Sequence, residues 1–318
     1  MDTTKATTAT TLLTENNSVP TVLLTGASGI VGSDLSRVLL ERGAKVYAIS
    51  RNDQSLGHPN LTWVKLALES KDEVMEAYKA ISPDWVFHMA SYVSAAPSYD
   101  LVMPTFQSNL VSTLHMLMAA KEYGCERMIV AGTSEERVDD VKEILPASPY
   151  AAAKLASSAY ARMFNKLYDV PVCITTLFSV YGPTPLKPKR VLPYAISELL
   201  KGKSPEFSSG KRRIDWIYAD DAIEGLLKTI QSKEAEGQTF DLGTGSMLTI
   251  RELIDKVADI IGGSGRPVWG ARPDRPMENE VAADLNKTQS IIDWQPTVGL
   301  EEGLKITIDW YRTFQQQK

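Results

Sequence analysis

Thr21-Val22-Leu23-Leu24-Thr25-Gly26-Ala27-Ser28-Gly29-Ile30-Val31-Gly32 is the stretch that decides the architecture of this chain. Its first five residues read as a short apolar strand. The G-x-x-G-x-x-G that follows reads as a tight turn. Residues 33–42 then place Leu35, Val38 and Leu39 at helical spacing, and Gly43 stops the helix. Glycine permits the turn and lets a pyrophosphate approach the main chain. The helix N-terminus presents oriented N–H groups to the anion. Glycines alone would be weak evidence, but between a strand and a helix they predict a dinucleotide site. The plain alternative is a strand–helix turn that binds nothing.

The alternation continues outward. Lys45–Ser50, Leu61–Leu66, Asp84–Met89, Arg127–Ala131 and Val172–Leu177 read as strands, with helical patterns over 71–80, 109–123 and 150–168. This predicts an α/β fold: a Rossmann-type doubly wound parallel sheet with a smaller, mainly C-terminal substrate-binding lobe. Pro183, Pro185, Pro188 and Pro193 crowd the next stretch, too many for a regular sheet, so the lobe is expected to begin there. Thr239–Leu242 reads as one more strand. Thr249-Ile250-Arg251-Glu252 is a capping-box pattern opening a helix, and a last helix from about Leu300 turns Leu304, Ile308 and Tyr311 inward. The expected boundaries are a flexible tail over 1–19, a dinucleotide-binding domain over 20–178 plus about 214–261, and the lobe over about 179–213 plus 262–318.

The 318 residues are 43% hydrophobic and 23% charged, with a net charge of −5. That balance offers no basic field to nucleic acid. Cys125 and Cys173 are the only cysteines; they form neither a metal-ligand spacing nor a disulfide framework. No apolar run approaches the roughly 18 residues of a membrane span. Residues 1–19 lack the apolar core of a signal peptide. A cytoplasmic protein with no metal and no membrane or nucleic-acid partner is expected.

Tyr150-Ala151-Ala152-Ala153-Lys154 puts a phenol and an ammonium on one helix face. The lysine charge favours the tyrosinate and can hold a cofactor ribose; the tyrosine then serves as general acid/base between a ketone and an alcohol. The plain alternative is a buried tyrosine beside an exposed lysine. Such chemistry also needs a hydroxyl to orient the substrate oxygen. Thr133 is the candidate and Ser134 the second, against simple capping or turn chemistry. After the second strand, where an acid would hold the ribose of NAD, stands Ser50-Arg51. Arg51 suits a 2′-phosphate, so NADP(H) is favoured, with NAD(H) possible; otherwise Arg51 is a solvated surface charge.

The chain resembles the extended short-chain dehydrogenases/reductases, the NAD(P)-dependent nucleotide-sugar epimerases, dehydratases and reductases. The resemblance runs over about residues 20–312. It rests on TGASGIVG (25–32), HMAS (88–91), GTSEE (132–136), SPYAAAK (148–154), LFSVYGP (177–183), RRIDWIYADDA (212–222), FDLGTG (240–245) and DWQPTVGLEEGL (293–304). It implies a Thr133, Tyr150, Lys154 triad. It implies cofactor contacts from Gly26, Ser28, Gly29, Ile30, Gly32, Arg51, Ala90, Tyr150 and Lys154, and substrate contacts from Ser134, Ser179 and Arg272, the last at a nucleotide diphosphate. It also implies a structural role for Asp221 and a homodimer. The chain departs from the family with Leu66-Ala67-Leu68-Glu69 where an adenine-holding Asp is common. Thr176 and Ser179 stand for the usual Arg and Asn, and Arg137 for the usual Tyr.

Three reactions share this equipment. A 4-ketoreductase uses NADPH and Tyr150 as acid, and Arg51 fits it; reduction of an NDP-4-keto-6-deoxy sugar is favoured. A 4-epimerase recycles a bound NAD. A 4,6-dehydratase needs a base, for which Glu135 is the candidate; Thr133-Ser134-Glu135 resembles the segment of GDP-mannose dehydratases, while GTSEE also resembles that of GDP-4-keto-6-deoxymannose reductases. A non-catalytic NADP-binding regulator is the outside alternative, and such proteins often lose the Tyr–Lys pair.

Overall fold

The computed structural model describes residues 11–55, 57–137, 145–183, 190–277 and 279–316. β1 (Thr21–Thr25) leads into α1 (Ile30–Glu41), followed by β2 (Lys45–Ser50), β3 (Leu61–Lys65), α2 (Lys71–Ile81) and β4 (Trp85–His88). α3 (Val102–Thr105) runs through a π-helical stretch, Phe106–Val111, into α4 (Ser112–Tyr123). β5 (Arg127–Thr133), α5 (Pro149–Tyr168) and β6 (Val172–Leu177) complete the first half. β7 (Ser179–Tyr181), α6 (Val191–Leu200), β8 (Arg213–Tyr218), α7 (Ala219–Gln231), β9 (Thr239–Leu242), β10 (Met247–Thr249), α8 (Ile250–Ile261), α9 (Leu285–Ile292) and α10 (Leu300–Gln316) follow.

Seven strands form a parallel sheet in the order β3-β2-β1-β4-β5-β6-β9. Side chains alternate across it. Val22 and Leu24 join Leu35 and Leu39 of α1 on one face. Leu23, Val86 and Met128 join Met116 and Leu117 of α4 on the other. Burial on both faces is why these strands read as continuous apolar runs. The winding reverses between β1 and β4, and the crevice above their carboxyl ends is where such sheets bind ligands.

A three-stranded sheet, β10-β8-β7, builds the smaller lobe. Leu192 and Ile196 of α6, Leu253 and Val257 of α8, and Leu304, Ile308 and Tyr311 of α10 pack together in its core. The stretch 214–261, assigned from sequence to the first domain, is divided. α7 and β9 join the large sheet, where Ile223, Leu226 and Phe240 are buried. β8, β10 and α8 belong to the lobe.

Of the tail expected over 1–19, residues 11–19 include side chains packed against the body of the fold. Leu12 is buried and its N–H donates to the Arg42 carbonyl at 3.1 Å, while Glu15 pairs with the buried Arg127; residues 1–10 lie outside the described residues. So do Pro185 and Pro188 of the proline-rich stretch. Among the described residues, no helix is long and apolar enough to cross a membrane.

Candidate active site

The glycine turn is a close approach of backbones. Gly26 has φ +74°, and a Cβ there would lie 2.7 Å from Ala90 N and Met89 C at the end of β4. A Cβ on Gly32 would collide with the Gly26 carbonyl. Both glycines are therefore required by packing alone. The anion site is suggested by α1 itself. Gly29 is its N-cap in extended backbone, no side chain caps it, and no acid occupies its first turn. Its first N–H groups have no intrahelical acceptor. With Ser28 and Gly29 exposed and Ile30 half-buried beside them, the residues present fit a dinucleotide pyrophosphate.

Next to this turn runs a buried polar chain. Ala90 N–H donates to Thr25 Oγ1 (3.0 Å), and Thr25 Oγ1 lies 2.9 Å from His88 Nδ1. His88 Nε2 lies 3.1 Å from Thr113 Oγ1, whose hydrogen goes to the Asn109 carbonyl. Burial first, then the Lys154 charge, pulls the imidazole down to about 3, so it is neutral. The donors then leave one consistent assignment: Nε2 carries the proton and Nδ1 accepts from Thr25. The π-helical stretch presents Asn109, whose Oδ1 accepts from Ser91 Oγ (3.0 Å) and Tyr92 N–H (2.8 Å). Ser157 Oγ of α5 donates to the Asn109 carbonyl at 3.0 Å. π-helical turns frequently mark functional sites.

Ser148 caps α5, accepting from Ala151 N–H at 3.1 Å, and Pro149 occupies the first turn. Both favour a helix that starts at this point, and they set Tyr150 at its mouth. Tyr150 and Lys154 are 5% and 3% exposed, so the alternative of an exposed lysine is not what the structure shows. The Tyr150 hydroxyl meets the hydroxyls of Thr133 and Ser91. Burial raises the phenol to about 12, against the Thr133 hydroxyl and with the help of the Glu136 charge. Lys154 Nζ donates to the Ala131 carbonyl of β5; burial lowers its pKa and the Glu136 charge raises it. Thr133, Tyr150 and Lys154 are thus brought together at the carboxyl end of β5.

The two glutamates after Thr133 have different surroundings. Glu135 Oε1 takes Arg212 Nη2 at 2.7 Å. Glu136 turns inward, 9% exposed: its Oε1 accepts the Thr133 N–H (3.1 Å) and its Oε2 accepts from Ser158 Oγ (2.8 Å). Thr133 Oγ1 in turn accepts the Glu135 N–H at 3.4 Å, closing a capping box. Thr133 therefore has the capping role as well as its place beside Tyr150. Ser134 is half-buried in the same short turn.

The remaining expected residues lie farther out. Ser179 is half-buried on β7, in register with Trp216. Arg272 is exposed, its guanidinium 5.5 Å from the centre of the Tyr194 ring. Tyr194 is one turn along α6 from Arg190, whose pKa burial lowers against the opposing influence of Tyr150. Arg51 is exposed just beyond β2. Asp221 accepts from Thr297 N–H and Oγ1 and Val298 N–H, tying α7 to the loop before α10. Glu136, Ser91, Arg190 and Arg212 were not among the expected site residues. A signal for Glu136 existed: Thr133-x-x-Glu136 is the same capping pattern as Thr249-x-x-Glu252.

A winding reversal, a glycine turn opening an uncapped helix, and a buried Tyr–Lys pair beside it define a Rossmann-type dinucleotide enzyme. The model of the NAD dependent epimerase/dehydratase family matches residues 22–243. The chain is 28% identical to a UDP-glucose 4-epimerase of Mycolicibacterium smegmatis, over 92% of this chain and 99% of the relative. It is 26% identical to a dTDP-glucose 4,6-dehydratase of Xanthomonas campestris, over 93% and 94%. Among solved structures, the Thermus thermophilus UDP-glucose 4-epimerase in complex with NAD superimposes with a TM-score of 0.81 at 27% identity, covering 92% and 98%. The chain belongs to the NAD dependent epimerase/dehydratase family, within the extended short-chain dehydrogenases/reductases.

Proposed function

We propose that this enzyme reduces the 4-keto group of an NDP-4-keto-6-deoxy sugar with NADPH, with Tyr150 as the acid. The observation that carries the reading is the Tyr150 phenol, held protonated at about 12 by burial and next to the Thr133 hydroxyl. A phenol that keeps its proton is ready to protonate an alkoxide as it forms. NADPH supplies the hydride that the carbonyl carbon takes up. Thr133 and Tyr150 orient the carbonyl oxygen, and the Tyr150 proton moves to that oxygen as the C=O bond becomes C–OH. Lys154 holds the ribose and contributes positive charge. Gly26, Ser28, Gly29, Ile30, Gly32 and Ala90 surround the pyrophosphate crevice. Arg51, beyond β2 where an acid would select NAD, pairs with the 2′-phosphate. Ser134 and Ser179 face the sugar, and Arg272 takes the diphosphate.

The pair between Glu135 and Arg212 favours reduction over elimination, because a base for C5 must first leave the guanidinium. A 4-epimerase is the second reading, favoured by the 28% identical mycobacterial relative. A homodimer fits the exposed apolar side chains Tyr99, Val102, Met103 and Phe106 beside α5, which itself exposes Tyr160 and Leu167; sedimentation gives the mass directly. The test of the reaction is NADPH oxidation with a panel of NDP-4-keto-6-deoxy sugars. Stoichiometric consumption supports the reductase. Sugar interconversion without net consumption overturns it in favour of the epimerase.

A further inference from the structure

We propose that Glu136 is a positioning residue of this active site: its buried carboxylate fixes Thr133 through the backbone and provides the counter-charge for the Lys154 ammonium. The inference rests on the reading of Thr133, Tyr150 and Lys154 as the reacting-site residues.

The geometry is specific. Oε1 accepts the N–H of Thr133, the residue whose hydroxyl meets Tyr150, and Oε2 is anchored by Ser158 one turn beyond Lys154 on α5. The fold leaves room for it. A Cβ on Gly132 would stand 2.6 Å from Glu136 Oε1, so only glycine in β5 admits the carboxylate. Glu136 thereby links the two elements that carry the triad, the end of β5 and the first turns of α5.

Charge gives it a second task. A buried ammonium without a counter-charge sheds its proton. Lys154 has one carbonyl partner, Ala131, and the Glu136 charge acts on it favourably. Burial holds the Glu136 carboxyl above the usual carboxylate range on balance; the Lys154 charge is the largest influence opposing this, ahead of the bonds from Ser158 and Thr133. Among the described residues, the other charged or titratable groups around this cluster are Tyr150 and Arg162 of α5, His88 of β4, Glu135 of the same turn and Arg190 ahead of α6. His88 is neutral, and Glu135 is paired with Arg212. Among the described residues, Glu136 is therefore the carboxylate whose charge acts on Lys154. A purely structural cap would need the two hydrogen bonds but not the charge.

Glu136→Gln separates these roles, since the amide keeps the size and an acceptor for Thr133. The measurement is NADPH binding by fluorescence between pH 7 and 9.5, above the titration of the 2′-phosphate, together with the pH profile of kcat. The wild type is expected to bind NADPH evenly across this range. In Glu136→Gln, Lys154 loses its proton within the range, affinity falls about 10-fold from the lower to the upper end as a charge-assisted bond to the ribose is lost, and the basic limb of kcat moves to lower pH by a unit or more. Glu136→Asp, which keeps the charge, restores the even profile even where turnover is low. A uniform loss at every pH, or no loss, overturns the proposal. If Glu136→Gln does not fold, Ser158→Ala carries the test: a smaller shift in the same direction supports the proposal and an unmoved profile overturns it. NADPH binding is read without any sugar. A wild type that reduces no keto-sugar therefore overturns the reductase reading while the Glu136 result stands on its own.

Discussion

Arg212 Nη2 lies 2.7 Å from Glu135 Oε1, so the carboxylate that the sequence offers as a candidate base is paired with a guanidinium of the smaller lobe. Both side chains are largely enclosed, at 13% and 18% exposed. Glu135→Gln is expected to leave keto-sugar reduction within about 3-fold, since no step of a reduction needs a second base. Steady-state kinetics check this. A loss of about 100-fold or more would assign Glu135 to the chemistry.

Tyr150→Phe removes the proton donor and leaves the ring in place. Turnover is expected to fall by about 10²–10⁴-fold, with NADPH binding retained in fluorescence titration. Unchanged turnover would remove Tyr150 from the mechanism.

Arg51→Ala tests the cofactor. If Arg51 binds the 2′-phosphate, the NADP/NAD affinity ratio falls about 10-fold or more, the value of a charge-assisted bond. An unchanged ratio makes Arg51 a surface charge. In the same way Arg272→Ala is expected to raise the sugar-nucleotide KM with kcat little changed, as loss of uniform binding does.

Gly32→Ala drives a methyl group into the Gly26 carbonyl. Overpacking of this kind costs about 1–3 kcal/mol, and here it also displaces the pyrophosphate turn. Thermal unfolding should show the lower stability, and NADPH titration the weaker binding.

Asp34 on α1 is raised to about 6 by burial, against the Arg37 charge and with the help of Asp220. Its folded pKa lies above the unfolded 3.8. The stability it contributes is therefore fully present below pH 3.8 and is lost as pH rises through about 6. Asp34→Asn should raise Tm by about 1–2 °C at pH 8, solvent screening at this partly exposed site keeping the effect small. The gain should shrink as pH falls through 6. A gain independent of pH would contradict the assignment.

The fold was legible where one side-chain period ruled. Val22, Leu23 and Leu24 are buried on alternate faces of one sheet, and such strands read as strands. α1 begins at Ile30 rather than 33, because Gly29 caps it without a side-chain signal. The helix expected over 109–123 starts at Val102, since Pro104 reads as a breaker but sits in a first turn that tolerates it. The π-helical residues 106–111 have no periodic signature. In the site, Tyr150 and Lys154 were visible from local spacing. Arg212 was not, because its partner Glu135 is distant in sequence, nor was Arg190, on which Tyr150 acts only electrostatically and from far along the chain. Arg137, a departure from the family pattern, pairs with the buried Asp241 and lies over the Phe178 ring, a long-range arrangement no local pattern encodes.

In the proposed reduction, hydride from NADPH ends at sugar C4. NADPH deuterated at the transferring position, incubated with the enzyme and an NDP-4-keto-6-deoxy sugar, tests it by mass spectrometry and NMR of the product. One deuterium at C4 for each NADPH consumed is the predicted result. A converted sugar that carries no deuterium, with the labelled cofactor intact, would contradict it.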